Sequence, residues 1–229
     1  MIRSHVAKAL LGVAVVASAV TAISRPASAI SFDFTPGTTT QKTGTTSITF
    51  DDPLPPGVTI SDSGAIVQGS LKNQYKAPGT DNGTADGSKY VAVGGNNAEG
   101  PVSIALGSLN GYIGGFLGSI DTYNTFKFFN DATLIAEITG TEIANALGLA
   151  PNPEGGNYKV DQFVNFFADP GTGTTQFFNR IELSSSFAAL EADNFAFRKD
   201  IPTPALLPGL VGLGVAAWRK RKGEAAEQA

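Results

Sequence analysis

Apolar residues recur at every second position in several short segments of the chain. Phe126 and Phe128, for example, flank the polar Lys127. The same alternation covers the stretches 58–60, 134–138, 160–166, 181–183 and 195–197. Successive side chains of a strand point to opposite faces, so this spacing predicts antiparallel strands, in keeping with the many aromatic and β-branched residues.

One segment has helical spacing instead. Residues 141–148 begin with a candidate N-cap, Thr141, place apolar residues four positions apart, and end in Gly148. We expect a helix of one or two turns there. The polar stretches 36–46 and 70–88 are rich in Gly, Thr and Asn and are predicted to be loops. Residues 30–200 are therefore expected to form one all-β domain, an antiparallel, jelly-roll-like β-sandwich with one short helix.

The N-terminal residues 1–29 have the organisation of a signal peptide. Arg3 and Lys8 precede an apolar run over 9–23, which ends in the small-residue triplet 27–29. This order predicts a signal helix with cleavage after Ala29, the processing enzyme reading Ala27 and Ala29. A permanent membrane anchor is the alternative, and it is disfavoured because the run is shorter than the roughly 20 residues of a membrane span.

The C-terminal residues 201–229 carry a second hydrophobic segment. Apolar residues and glycines fill 205–217, and Trp218 precedes a basic cluster. The pattern predicts a hydrophobic helix that could span a bilayer only marginally, with its basic end on the cytoplasmic side. An amphipathic core helix is the alternative, disfavoured because the segment has no polar face.

This tail resembles a known class of sorting signals. The motif Pro202, Thr203, Pro204, Ala205 is followed by the hydrophobic helix and then by Arg219, Lys220, Arg221, Lys222. The arrangement resembles the PEP-CTERM signals, and more closely their PTPA variant in cyanobacterial surface proteins. The resemblance implies that an exosortase-type membrane protease recognises the proline-containing motif and detaches the protein for surface display or release.

Two further runs resemble a domain common in exosortase-dependent surface proteins. They are Gly118–Thr125, GSIDTYNT, and Ala192–Phe197, ADNFAF. Those proteins carry a G-S-x-D-x-Y-N-T strand and an Asp-Asn-containing strand just before the sorting signal. The resemblance implies a pattern similar to jelly-roll carbohydrate-binding modules.

Composition excludes several classes of function. The net charge is −4, and acidic residues outnumber basic ones about two to one in 30–200, so nucleic acid is not an expected partner. The chain has no cysteine, and its one histidine, His5, lies in the predicted signal peptide. Thiol chemistry, Ser-His-Asp catalysis and the usual zinc sites are therefore excluded for the domain. We expect a non-enzyme; a glycoside hydrolase with a carboxylate pair is the alternative.

Polar residues within the two runs are candidates for ligand binding. Asp121, Tyr123 and Asn124 could hydrogen-bond sugar hydroxyls, with Tyr123 or Tyr112 as a stacking surface. The alternative is that Asp121 and Asn124 bond to nearby backbone groups of a turn.

The pair Asp193 and Asn194 offers the oxygen ligands that calcium prefers. The alternative is that both are turn residues at the start of a strand. No cofactor is expected apart from such a structural calcium ion, and no other metal is assigned.

The function predicted from these features is that of a non-catalytic, exported protein of the cell surface or extracellular matrix, anchored at its C-terminus transiently or permanently. Its expected partners are signal peptidase and the exosortase-type protease. The alternatives are a lectin-like module that binds extracellular polysaccharide and a glycoside hydrolase.

Overall fold

The computed structural model describes residues 30–62, 65–95, 100–149, 160–168 and 177–199. The predicted signal peptide, with Ala27 and Ala29, and the predicted sorting tail over 201–229 lie outside the described residues. Within the described ranges, no helix is long and apolar enough to cross a membrane.

Antiparallel strands make up most of the described chain, and one short helix, α1 (Gly140–Ala146), interrupts them. The described strands are β1 (Ile30–Thr35), β2 (Thr46–Ile48), β3 (Thr59–Ile60), β4 (Ile66–Gln68), β5 (Lys89–Val93), β6 (Val102–Asn110), β7 (Tyr112–Gly118), β8 (Asn124–Asn130), β9 (Thr133–Thr139), β10 (Gln162–Ala168), β11 (Phe178–Ser185) and β12 (Leu190–Arg198). The predicted all-β fold with one short helix is confirmed.

The strands form two sheets. The seven-stranded sheet has the order β1-β10-β7-β12-β5-β4, and β2 also pairs with β12. The five-stranded sheet has the order β3-β6-β11-β8-β9. Since β6 belongs to one sheet and β7 to the other, the chain crosses from sheet to sheet at Gly111.

Aromatic side chains join the two sheets. Phe166 of β10 lies against Phe126 and Phe128 of β8, with ring centroids 5.6 and 5.1 Å apart. Phe128 also contacts Phe178 of β11 at 5.3 Å. All four rings are buried, so their packing supplies much of the apolar area that the sandwich removes from water.

Strand β7 lies near the centre of the seven-stranded sheet, between β10 and β12, and every residue of it is buried. Its glycines let neighbouring groups approach closely: a Cβ atom on Gly115 would lie 2.9 Å from the Phe195 ring, and one on Gly118 would lie 3.0 Å from Pro78. A strand buried on both faces has no apolar–polar alternation, which explains why none was predicted here.

The helix begins two residues earlier than predicted. Its N-cap is Thr139 rather than Thr141, because the Thr139 hydroxyl accepts from the Glu142 amide and the Glu142 carboxylate accepts from the Thr139 amide. The expected end at Gly148 is confirmed. Gly148 has a φ of +71°, and the Leu149 amide donates to the Ala144 carbonyl, which closes the last turn.

The two runs that resemble surface-protein strands occupy other positions than expected. Residues 119–123 form the connection between β7 and β8, since the Asn124 amide donates to the Asp121 carbonyl across a turn. Asp193 and Asn194 lie inside β12 and not at a strand start. At this point the pairing of β12 with β7 shifts register. The extra residue is a β-bulge, and Asn194, with a φ of +50°, takes the left-handed conformation that asparagine tolerates.

Replacing Phe166 with alanine should strongly destabilise the domain, because the ring contacts both sheets. We expect a loss of about 3–5 kcal/mol in the free energy of unfolding, measured by chemical denaturation. Leu134→Ala, on the exposed part of β9, is the control and should change stability by less than about 1 kcal/mol. Similar losses in the two variants would contradict the assignment of Phe166 to the shared core.

Candidate functional site

The outer face of the seven-stranded sheet carries buried carboxyl groups. In β12, Leu190 and Ala192 belong to the core, so Glu191 and Asp193 point to the opposite face. Each is nevertheless only 3% exposed. Acidic side chains are rarely so buried unless hydrogen bonds compensate them, and another segment must therefore cover this face.

The covering segment is residues 69–88, here called the cover loop. Glu191 accepts a hydrogen bond at Oε1 from the Lys76 amide, at 2.7 Å, and Asp193 accepts one from the Ser88 hydroxyl at 2.8 Å. Pro78 lies against Gly118 of β7. The region was predicted as a loop, and these contacts show that it packs on the sheet.

A third carboxylate, Asp161, ties the cover loop to the β7–β8 connection. Its Oδ2 accepts from the amides of Asp81 and Asn82 at 2.9 and 3.3 Å, and its Oδ1 accepts from the Ser119 amide at 3.3 Å. Because Asp161 directly precedes β10, it links the loop, the connection and the sheet at one point.

A cleft of about 660 Å³ opens between the cover loop, the β7–β8 connection and residues 186–189. Its lining residues are Ser70, Leu71, Lys72, Asn73, Gln74, Tyr75, Lys76, Thr80, Ser119, Asp121, Tyr123, Ala188, Ala189 and Glu191. At the rim, Phe187 is 65% exposed and packs on Tyr123 with ring centroids 5.3 Å apart. The cleft thus has a mixed polar and apolar lining and an aromatic pair at one edge.

Two buried oxygen atoms in this lining have no hydrogen-bond partner among the described residues: Glu191 Oε2 and Ser119 Oγ. Burial raises the pKa of Glu191 to about 8, and the nearby carboxylates of Asp121 and Asp161 act in the same direction, while the Lys76 amide and ammonium oppose the shift. Glu191 is therefore mostly a neutral carboxylic acid at pH 7.

Tyr123 is held by its acidic neighbour. Burial raises the pKa of the Tyr123 phenol, and a hydrogen bond to the Asp121 carboxylate acts in the same direction. Since the phenol is the donor, Asp121 serves as its acceptor and the ring is fixed beside the cleft.

Among the residues predicted for sugar binding, Asp121 and Tyr123 line the cleft and Asn124 does not. Asn124 is buried in β8, where its Oδ1 accepts from the Ser185 hydroxyl at 3.0 Å. Tyr112 is fully buried elsewhere on the outer face, hydrogen-bonded to Asn165 at 2.8 Å, and offers no stacking surface.

The residues proposed for calcium, Asp193 and Asn194, also lie outside the cleft. Burial raises the pKa of Asp193 to about 6, an effect reduced by hydrogen bonds from Ser88 and Asn194 and increased by Asp86 and Asp51. In the ranges that the structure describes, no three His, Cys, Asp or Glu side chains are placed to hold a metal ion. The structural calcium ion at Asp193 and Asn194 therefore stays a prediction.

Sequence reasoning did not single out Glu191, Ser119 or Lys76. Glu191 occupies the polar position of an alternating strand, which is ordinarily exposed. The cover loop buries it, and nothing local to β12 indicates that this loop packs there.

Comparisons with protein-family models, with curated proteins and with solved structures find no match. The resemblance of the tail to sorting signals therefore stays a prediction, and function has to be argued from the site.

Raising the pH should destabilise the domain through Glu191. The unfolded residue ionises near 4.5, whereas the folded one stays neutral up to about 8, so the free energy of unfolding falls as the pH rises between these values. Each pKa unit corresponds to about 1.4 kcal/mol, so the total effect is a few kcal/mol.

Glu191→Gln should reduce this pH dependence, since glutamine retains the acceptor for the Lys76 amide and has no charge to lose. Denaturation curves at pH 5, 7 and 8 measure the pH dependence of the free energy of unfolding. Glu137→Gln, at an exposed position, is the control. Parallel pH profiles for wild type and Glu191→Gln would show that Glu191 ionises normally.

Proposed function

We propose that the chain is an exported, non-catalytic protein of the cell surface or extracellular matrix, with a jelly-roll-like β-sandwich that binds a saccharide in the cleft beside Glu191. The observation that carries this proposal is the cleft itself, in which Ser119, Asp121 and Glu191 converge next to Tyr123.

The size and chemistry of the cleft support a small polyhydroxylated ligand. Its volume of about 660 Å³ falls within the roughly 300–1,000 Å³ of small-molecule sites. Carboxyl, hydroxyl and amide groups from the lining can exchange hydrogen bonds with sugar hydroxyls. The rings of Tyr75 and Tyr123 can cover apolar sugar faces.

The position of Glu191 also favours a second candidate, glycoside hydrolysis. A neutral carboxylic acid beside another carboxyl group, here Asp121, is the combination that glycosidases use. Binding without catalysis remains the first proposal, because both carboxyl groups already hold structural hydrogen bonds: Glu191 accepts from the Lys76 amide and Asp121 accepts from the Tyr123 phenol.

Export and sorting are proposed from the terminal segments. Strand β1 begins at Ile30, the residue after the predicted signal cleavage, and β12 ends at Arg198, four residues before Pro202. All strands of the described residues therefore lie between the two proposed processing points. Signal peptidase and an exosortase-type protease are the proposed partners, and the hydrophobic helix of the tail is the proposed membrane segment.

The intact mass of the protein recovered from the cell surface and the medium tests the sorting proposal. We expect a species that begins at Ile30 and ends near 202–205. A species that keeps Trp218 and the basic cluster would contradict removal of the tail and indicate a permanent C-terminal anchor.

A glycan array tests the binding proposal. We expect the exported protein to bind a defined saccharide, and Tyr123→Ala to weaken that binding at least about tenfold through loss of stacking and hydrogen bonding. Leu134→Ala, on the other sheet, should bind like the wild type. Absence of binding at high micromolar concentration would contradict the proposal, and release of reducing sugar would favour the hydrolase.

A further inference from the structure

We propose that the ligand of the cleft carries a protonated amino group, as a glucosamine-type saccharide does, and that Glu191 and Asp121 receive this group. The inference rests on the proposed saccharide-binding function and specifies its ligand class.

Two buried oxygen atoms without hydrogen-bond partners in the cleft are the first reason. Glu191 Oε2 and Ser119 Oγ have no hydrogen-bond partner in the described part of the chain, and the two residues are only 3% and 5% exposed. Glu191 is held in place through its other oxygen by the Lys76 amide. An ammonium group has three donors and no acceptor, so it complements these two oxygens when Glu191 is ionised and the Ser119 hydroxyl acts as an acceptor.

The charges around Glu191 are the second reason. The groups that act on it from the surrounding elements are the carboxyls of Asp121 and Asp161, the phenols of Tyr90 and Tyr123, and the ammonium of Lys76. In this set Lys76 is the positive group, and its ammonium forms an ion pair with Asp81 of the cover loop. Lys72 is a second basic residue in the cleft lining. Among the groups that act on Glu191, however, the acidic ones outnumber the ammonium, which favours a cation beside it.

Binding of such a cation changes the protonation of Glu191. A buried carboxylate is costly when unpaired, so Glu191 is neutral in the empty cleft, and an entering ammonium would stabilise its ionised form. Below about pH 8, the carboxyl group then releases its proton to the solvent and the ammonium keeps its own. A neutral sugar causes no such release.

Isothermal titration calorimetry of the exported protein at about pH 6 tests the inference. The probes are a glucosamine oligosaccharide, its N-acetylated counterpart and a glucose oligosaccharide of equal length. We expect the amine to bind at least about tenfold tighter than the other two. Titrations in two buffers of different ionisation enthalpy should reveal release of up to about one proton per amine bound.

Variants identify the receiving groups. Glu191→Gln should lose both the tenfold preference for the amine and the proton release. Ser119→Ala, which keeps the backbone amide bonded to Asp161, should weaken amine binding several-fold. The matched control, Glu137→Gln on exposed β9, should behave as wild type, and unfolding curves at the same pH verify that each variant is folded.

Other outcomes would overturn the inference. Equal affinity for the amine and its N-acetylated form, or binding that requires calcium and disappears with a chelator, would exclude an ammonium site while leaving saccharide binding intact. Failure of all three oligosaccharides and of every glycan on the array would contradict the proposed function as well.

Discussion

The burial of carboxyl groups beneath the cover loop is the constraint on which the site depends. The loop contributes little regular structure, so its backbone amides need acceptors elsewhere. Glu191, in the sheet, and Asp161, the residue before β10, provide such acceptors. The Asp193 carboxylate accepts a hydrogen bond from the Ser88 hydroxyl. These bonds hold the loop against β7 and β12 and so form one wall of the cleft.

The same arrangement buries the Glu191 carboxyl group at a cost in the free energy of folding. Glu191 has one oxygen bonded to the loop and one without a partner among the described residues. An apolar residue at this position would avoid the cost of burying a carboxyl group. A polar group buried at such a cost, facing a cleft and next to another carboxyl, is typical of a functional site. This is the physical basis for placing ligand recognition at Glu191 rather than at the bulge of Asp193.

The sequence predicts the five-stranded sheet better than the seven-stranded one. Strands β8, β9 and β11 show an apolar–polar alternation, and the Gly148 end of α1 has a local signal. Strand β7 lacks that alternation because both of its faces are buried, the outer one partly by Pro78 of the cover loop. The alternation in β12 is interrupted by the bulge at Asn194.

The site could be predicted only in part, for a related reason. Asp121 and Tyr123 lie in a run that resembles known surface proteins, and both line the cleft. The place of Glu191 in the site depends on a contact between residues 115 positions apart: the Lys76 amide donates to the Glu191 carboxyl group. Such a contact leaves no local pattern, because the cover loop by itself is simply a polar, glycine-containing stretch.

The most direct test of this account is a ¹³C NMR titration of the Glu191 side-chain carboxyl, assigned by its loss in Glu191→Gln. We expect the pKa of Glu191 to lie near 8 in the ligand-free protein, because the carboxyl is buried beside Asp121 and Asp161. A pKa near the ordinary 4.5 would mean that the carboxyl is charged and well solvated in the empty cleft. That result would contradict the central claim that Glu191 is buried and neutral in the ligand-free protein.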